Sequence, residues 1–86
     1  MPIKSKAKAA PKLFLTTGKA TAIFRKKIHF NQALFWSRVG VTQSGGSRYE
    51  SGRNMPRPVQ LLLHLSYAPA EKALAMLNHL RLDEKS

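Results

Sequence analysis

The chain has 86 residues and no cysteine, so it has room for one small domain whose core neither disulfides nor thiolate metal sites can support. Its 15 lysine and arginine residues against four acidic residues give a formal net charge of +11, which indicates a polyanionic partner. No apolar run is long enough to span a membrane and no apolar segment follows the basic start, so we expect no anchor, no signal peptide and a cytoplasmic, nucleoid-associated location.

Residues 1–12, MPIKSKAKAAPK, alternate lysine with small residues and include two prolines. They lack the large apolar groups that would offset the entropy of ordering, so we expect a flexible Lys-rich tail. Residues 13–82 are expected to form the domain and residues 83–86 a short C-terminal tail. The LFL segment at 13–15 either joins the core as an extended piece or extends the first helix.

Three helices are predicted in the first part of the domain. The first begins after Thr16 or Thr17, and its apolar residues recur at helical spacing: Ala20, Ile23 and Phe24. The second begins after the N-cap Asn31 and ends near Gly40. Thr42, two residues later, is a further N-cap. Two helices joined by a short turn that contains glycine form a helix-turn-helix unit.

The third helix, which Gly52 closes, contains two adjacent glycines, Gly45 and Gly46, each of which costs a helix about 1 kcal/mol relative to alanine. At about 100° per residue, they lie on the face opposite Gln43 and Arg48 and therefore point toward the protein. One interpretation is that a bulky residue of the second helix, Trp36, packs over both glycines. The alternative is that the glycines form a loop and no third helix exists.

Two more helices complete the predicted all-α fold, a compact bundle of four to five helices. In the fourth helix Val59, Leu62 and Leu63 are expected to face inward. The fifth begins at Pro69 or Ala70, and one stripe is expected to close the core: Ala70, Ala73, Leu74, Leu77 and Leu80. Met76 and Leu82 lie off this stripe. Their exposure would favour a homodimer formed through the last helix.

Residues 31–58, NQALFWSRVGVTQSGGSRYESGRNMPRP, carry a resemblance to a known family. Asn-Gln opens the second helix, Val-Gly ends it and Thr-Gln opens the third. This pattern resembles the lambda-repressor-like DNA-binding domains of phage repressors, Cro proteins and regulators of the xenobiotic-response-element type, over about residues 18–67. Two positions depart from it: Trp36 stands where the family has a small residue, and Gly46 where it has a branched apolar one.

The resemblance implies roles for individual residues on double-stranded DNA. It assigns base contacts to Gln43, Ser44, Ser47 and Arg48, with Gln43 suited to adenine and Arg48 to guanine. It assigns phosphate contacts to Gln32, Thr42, Arg53, Asn54 and Arg57. It also implies a structural ion pair between Arg25 and Glu50 that ties the first helix to the third.

The expected function is that of a sequence-specific transcriptional regulator whose third helix enters the major groove. Alternatives are an antitoxin that regulates its own operon with a toxin partner, a protein-interaction adaptor, and a non-specific nucleic-acid binder. An enzyme is not expected, because four carboxylates and three scattered histidines form no acid–base pair and no metal-ligand spacing. We therefore expect no metal and no cofactor, and we expect His64 and His79 to lie on helix surfaces.

Overall fold

A computed structural model describes residues 11–81 of the chain. They form five α-helices and contain no strand, which confirms the predicted all-α fold: α1 Gly18–Lys27, α2 Gln32–Ser37, α3 Gln43–Glu50, α4 Arg57–Tyr67 and α5 Ala70–Arg81. The glycines at 45 and 46 are therefore helical. Most of the predicted N-terminal tail, the predicted C-terminal tail and Leu82 lie outside the described residues.

Side-chain caps set the starts of the first three helices, as the sequence predicts. Thr17, Asn31 and Thr42 have extended backbones, and their side-chain oxygens accept hydrogen bonds from backbone N–H groups three residues later at 3.1, 2.8 and 3.0 Å. Such caps satisfy N–H groups that have no partner within the helix. They matter here because α2 and α3 have only six and eight residues, too few to be stable as isolated helices.

Aromatic rings fill much of the core. Phe35 is fully buried and stacks on Tyr67 with 4.3 Å between ring centroids, and the Tyr67 hydroxyl donates a 2.8 Å hydrogen bond to the Phe35 carbonyl oxygen. Phe24 meets both rings edge-on, and Phe14 meets Phe24 in the same way at 5.1 Å. Residues 13–15 are not helical, and Leu15 is buried, so this segment joins the core as an extended piece.

The buried face of α1 differs from the predicted apolar stripe. Ile23 is 63% exposed and Ala20 is exposed, whereas Thr21 and Arg25 are buried. Both buried side chains have partners, because the Thr21 hydroxyl donates to the Thr17 carbonyl oxygen at 2.7 Å and Arg25 bonds to groups outside its helix. Burial of a polar group is tolerated when its hydrogen bonds are made. Apolar spacing therefore placed Phe24 correctly against the core, but not Ala20 and Ile23.

The predicted surface position of His64 is also wrong. Its side chain is 1% exposed, whereas Leu62, predicted to face inward, is 43% exposed. His64 Nδ1 accepts a 3.0 Å hydrogen bond from the Phe14 N–H, so in the neutral ring Nε2 carries the hydrogen and donates to the Lys72 carbonyl oxygen at 3.0 Å. One imidazole thus holds the extended segment and the start of α5 against α4.

Helix α5 does not bury the leucines of the predicted stripe. Met76 is fully buried, whereas Leu74, Leu77 and Leu80 are 57%, 41% and 46% exposed. Apolar residues cover much of this helix, so their spacing did not determine which side packs against α4. The exposed leucines leave an apolar surface on the outside of the domain.

Two glycines allow close helix contacts. A Cβ added to Gly46 would overlap the fully buried Trp36 indole, at 2.6 Å from its Nε1, so α2 and α3 meet where α3 has no side chain. Gly45 does not share this role, because its Cβ would instead lie 3.1 Å from Val41 Cγ1; the expectation that Trp36 packs over both glycines is corrected in this respect. A Cβ at Gly18 would overlap the Tyr49 carbonyl group, a contact between α1 and α3 that the sequence did not suggest.

Gly46→Ala should therefore destabilise the domain although it favours the helical backbone. Overpacking is expected to lower the free energy of unfolding by about 1–3 kcal/mol, whereas helix propensity alone would raise it by about 1 kcal/mol. Gly45→Ala is the matched control and should change it by no more than about 1 kcal/mol. Urea unfolding followed by circular dichroism compares the two variants. Equal stabilities would contradict the packing argument.

Candidate nucleic-acid interface

Helices α2 and α3 form the helix-turn-helix unit. The backbone turns between them at Gly40, whose φ of 76° lies in the left-handed region, and Thr42 then caps α3. The outer side of α3 carries the four predicted base-contact residues. These four residues are Gln43, Ser44, Ser47 and Arg48. Together with Gln32 of α2, they line one surface depression of about 390 Å³.

The Glu50 carboxylate lies behind this depression and accepts four hydrogen bonds. Arg25 donates from Nε to Oε2 at 2.8 Å and from Nη2 to Oε1 at 3.0 Å. Gln32 Nε2 donates to Oε1 at 3.0 Å and Trp36 Nε1 to Oε2 at 2.9 Å. Arg25 Nη1 also donates to the Phe30 carbonyl oxygen at 2.8 Å. These bonds join α1, α2 and the end of α3 through one side chain that is 8% exposed.

The network keeps Glu50 ionised. Burial alone would raise the pKa of Glu50, but the hydrogen bonds from Arg25, Trp36 and Gln32, with the Arg25 charge, lower that pKa below its ordinary value of 4.5. The hydrogen bond to Glu50 likewise raises the pKa of Arg25. A charged glutamate and a charged arginine therefore form the pair that the resemblance implied, and Trp36 and Gln32 are further partners that it did not include.

The residues assigned to phosphates lie at several places. Arg53 and Asn54 line a second depression of about 360 Å³, beside the start of α1, which also includes Lys19. Arg57 is exposed at the first residue of α4. Thr42 is exposed, and its oxygen accepts the cap hydrogen bond from Gly45. Lys19 was not among the predicted contact residues, because its proximity to Arg53 depends on how α1 packs beside the loop after α3.

The surface of the described residues is strongly basic. Residues 11–81 contain eleven lysine and arginine residues, and the only acidic ones are Glu50 and Glu71. Glu50 is turned inward and Glu71 stands at the start of α5, outside the helix-turn-helix unit. The outer side of α3 therefore presents no carboxylate of α1, α2 or α3 that would repel a phosphate backbone.

A short α2, a turn containing glycine and an α3 with a polar outer face define a helix-turn-helix domain of the DNA-binding class. A family model described as the RsaL-like HTH domain matches residues 22–66. The match spans more than half of the chain, and the chain belongs to this helix-turn-helix family. No curated protein and no solved structure matches the chain significantly.

Two further findings concern the described residues only. Within positions 11–81, no helix is both long enough and apolar enough to cross a membrane. The same residues contain no group of three or more histidine, cysteine, aspartate or glutamate side chains placed to hold a metal ion.

Acid should destabilise the domain through Glu50. Because the pKa of Glu50 is lower in the folded than in the unfolded chain, its contribution is complete above pH 4.5 and is lost as the pH falls through the folded-state pKa. Glu50→Gln should lower the free energy of unfolding at pH 7 by about 3–5 kcal/mol, because Arg25 stays buried without its partner. The same substitution should also make the free energy of unfolding depend less on pH in the acid range.

Urea unfolding between pH 3 and pH 7 measures both effects. Glu71→Gln is the matched control, because Glu71 is exposed and has no part in the network. An acid dependence that Glu71→Gln weakens as much as Glu50→Gln does would contradict this assignment.

Proposed function

We propose that this protein is a sequence-specific DNA-binding transcriptional regulator whose α3 lies in the major groove. The observation that carries the proposal is the depression on the outer side of α3, which gathers four polar or basic side chains of α3 and Gln32 of α2. The carboxylate-free basic surface around it supports the same conclusion. We further propose a lambda-repressor-like binding mode and action on DNA in the cytoplasm.

Gln43 and Arg48 are the side chains best suited to contact bases. Both are exposed on α3, and Gln43 is its first residue. The Gln43 amide can bond to N6 and N7 of adenine, and the Arg48 guanidinium to O6 and N7 of guanine. Ser44 and Ser47 would make shorter contacts from the same face. Contacts with base edges rather than phosphates would give the protein its sequence preference.

Selection of bound sequences from a random DNA pool tests the proposal. A regulator should prefer its site over random DNA by about 10³-fold or more at physiological salt. A protein that binds all sequences equally would be a general nucleic-acid binder, and one that binds no DNA would favour an adaptor role. Either outcome would overturn the proposed function.

Substitutions should separate base contacts from phosphate contacts. Gln43→Ala and Arg48→Ala should each relax specificity at one base position and cost about 1–3 kcal/mol on the selected site, with a smaller loss on random DNA. Arg53→Ala is the matched comparison. It should weaken binding to all sequences similarly and make the slope of log K against log salt shallower by about one unit. Binding isotherms on both DNAs at several salt concentrations measure these effects. If Arg48→Ala instead lowered the affinity for both DNAs equally, Arg48 would contact the DNA phosphates and not a base.

We also propose that the protein binds DNA as a homodimer through α5. Leu74, Leu77 and Leu80 are exposed on this helix, and a groove of about 530 Å³ between α4 and α5 is lined mainly by apolar residues. Exposed apolar patches of this kind often mark interfaces between proteins. A two-fold dimer would place its recognition helices about 34 Å apart and match a palindromic site.

Leu77→Glu should abolish such a dimer, because it places a charge in the apolar groove. Sedimentation of the free protein and of its complex with the selected DNA measures the stoichiometry. Ile23→Glu is the matched control, since Ile23 is an exposed apolar residue on α1 outside this groove. A wild-type protein that binds one copy per site, with no palindrome in the selected sequences, would contradict the proposal.

A further inference from the structure

We propose that Trp36 is a positioning residue for DNA sequence recognition: it fixes the Glu50 carboxylate, which in turn fixes the amide direction of Gln32 at the α3 depression. Trp36 itself is fully buried, so it cannot touch DNA. This inference rests on the proposed function. It concerns how the recognition surface is oriented rather than which side chains reach the bases.

The Gln32 amide has a donor end, its NH₂ group, and an acceptor end, its carbonyl oxygen. An ionised carboxylate only accepts hydrogen bonds, so the amide must present its NH₂ group to Glu50, as the 3.0 Å contact from Nε2 to Oε1 shows. The carbonyl oxygen of Gln32 is therefore the end of the amide that is free of Glu50. A glutamine without such a partner can exchange its two ends by a rotation of 180°.

Gln32 stands beside the side chains that are proposed to contact bases. It is half-buried at the first residue of α2 and lines the same depression as Gln43 and Arg48. An acceptor fixed there can receive an N–H from the Gln43 amide or from the Arg48 guanidinium. If the Gln32 amide turned over, it would offer a donor in that place and favour different partners. The hydrogen bond from Gln32 to Glu50 thus determines whether Gln32 offers an acceptor or a donor at the depression.

The Glu50 carboxylate is itself held by its hydrogen-bond donors. Arg25 binds one nitrogen to each carboxylate oxygen, Gln32 adds a bond to Oε1, and Trp36 supplies the second bond to Oε2 at 2.9 Å. The terminal torsion of a glutamate has a broad energy minimum, so its carboxylate keeps one orientation only when partners hold it. The indole cannot shift easily, because it fills the space at Gly46 where a side chain would otherwise stand.

The test replaces Trp36 by 3-benzothienylalanine, which keeps the size of the indole but has sulfur in place of the N–H. Trp36 is the only tryptophan, so tryptophan-analogue incorporation changes this position alone. Trp36→Phe is a second, genetically encoded variant without the N–H. Met76→Ala is the matched control, because it also removes buried apolar volume but lies on α5, away from Glu50.

Two readouts are measured in each variant. In the free protein, the side-chain amide protons of Gln32 should exchange faster with solvent when the Trp36 N–H is absent, as measured by NMR. On DNA, the preference at the base position that Gln43 contacts should fall by about 3- to 10-fold, within the discrimination that one good base contact provides. Affinity for random DNA should not change. Met76→Ala should lower stability and leave both readouts unchanged.

The outcomes separate the two proposals. A wild-type protein without any base preference would overturn the proposed function and this inference with it. A wild-type preference that both Trp36 variants keep, in folded protein, would overturn the positioning role alone. A fall in preference for Met76→Ala as large as for the Trp36 variants would also overturn it, because lost stability would then explain the effect.

Discussion

The carboxylate of Glu50 is the interaction on which the helix-turn-helix geometry depends. It is the last residue of α3, and its four donors come from α1 and α2, so one charged group fixes the relative positions of three helices. An isolated buried charge would be strongly destabilising, but here each oxygen accepts two hydrogen bonds. The same group orients Gln32, which stands at the outer depression. The side chain that joins the three helices therefore also positions a residue of the α3 depression.

The close contact between α2 and α3 follows from an exchange of volume. Trp36 is far larger than the residue that the lambda-repressor-like pattern would place there, and Gly46 is smaller than the expected one. Such an exchange can keep the total core volume nearly constant. It also does more than fill space, because an indole brings an N–H that an alanine lacks, and this N–H bonds to Glu50. The loss of helix propensity at Gly46 is thus offset by packing and by a buried hydrogen bond.

The sequence predicted those features that depend on short-range signals. The sequence predicts Asn31 and Thr42 as N-caps, and Thr16 or Thr17 as the first one, because a cap requires only a suitable side chain beside a helical segment. The four α3 residues expected on one face do line one depression, because helix geometry alone sets their relative directions. The Arg25–Glu50 pair came from the family resemblance rather than from these local signals.

Features that depend on tertiary packing were missed. His64 is buried because two backbone groups, at Phe14 and Lys72, happen to lie on either side of its ring. Met76 rather than Leu74 is buried, since apolar residues on several sides of α5 made either packing consistent with the sequence. Neither the burial of His64 nor that of Met76 can be predicted from the spacing of residues along one helix.

For the proposed sequence-specific regulator, the charge distribution makes the orientation of a few polar groups important. Apart from the buried Arg25–Glu50 pair, positions 11–81 hold ten basic residues and one acidic residue. Such a surface attracts phosphates regardless of sequence, and this attraction would add equally to the affinity for every DNA site. A difference between sites must then arise from groups whose donors and acceptors have fixed directions. An amide held by a buried carboxylate has one direction only, and Gln32 is the residue at the α3 depression that the structure shows to be held in this way.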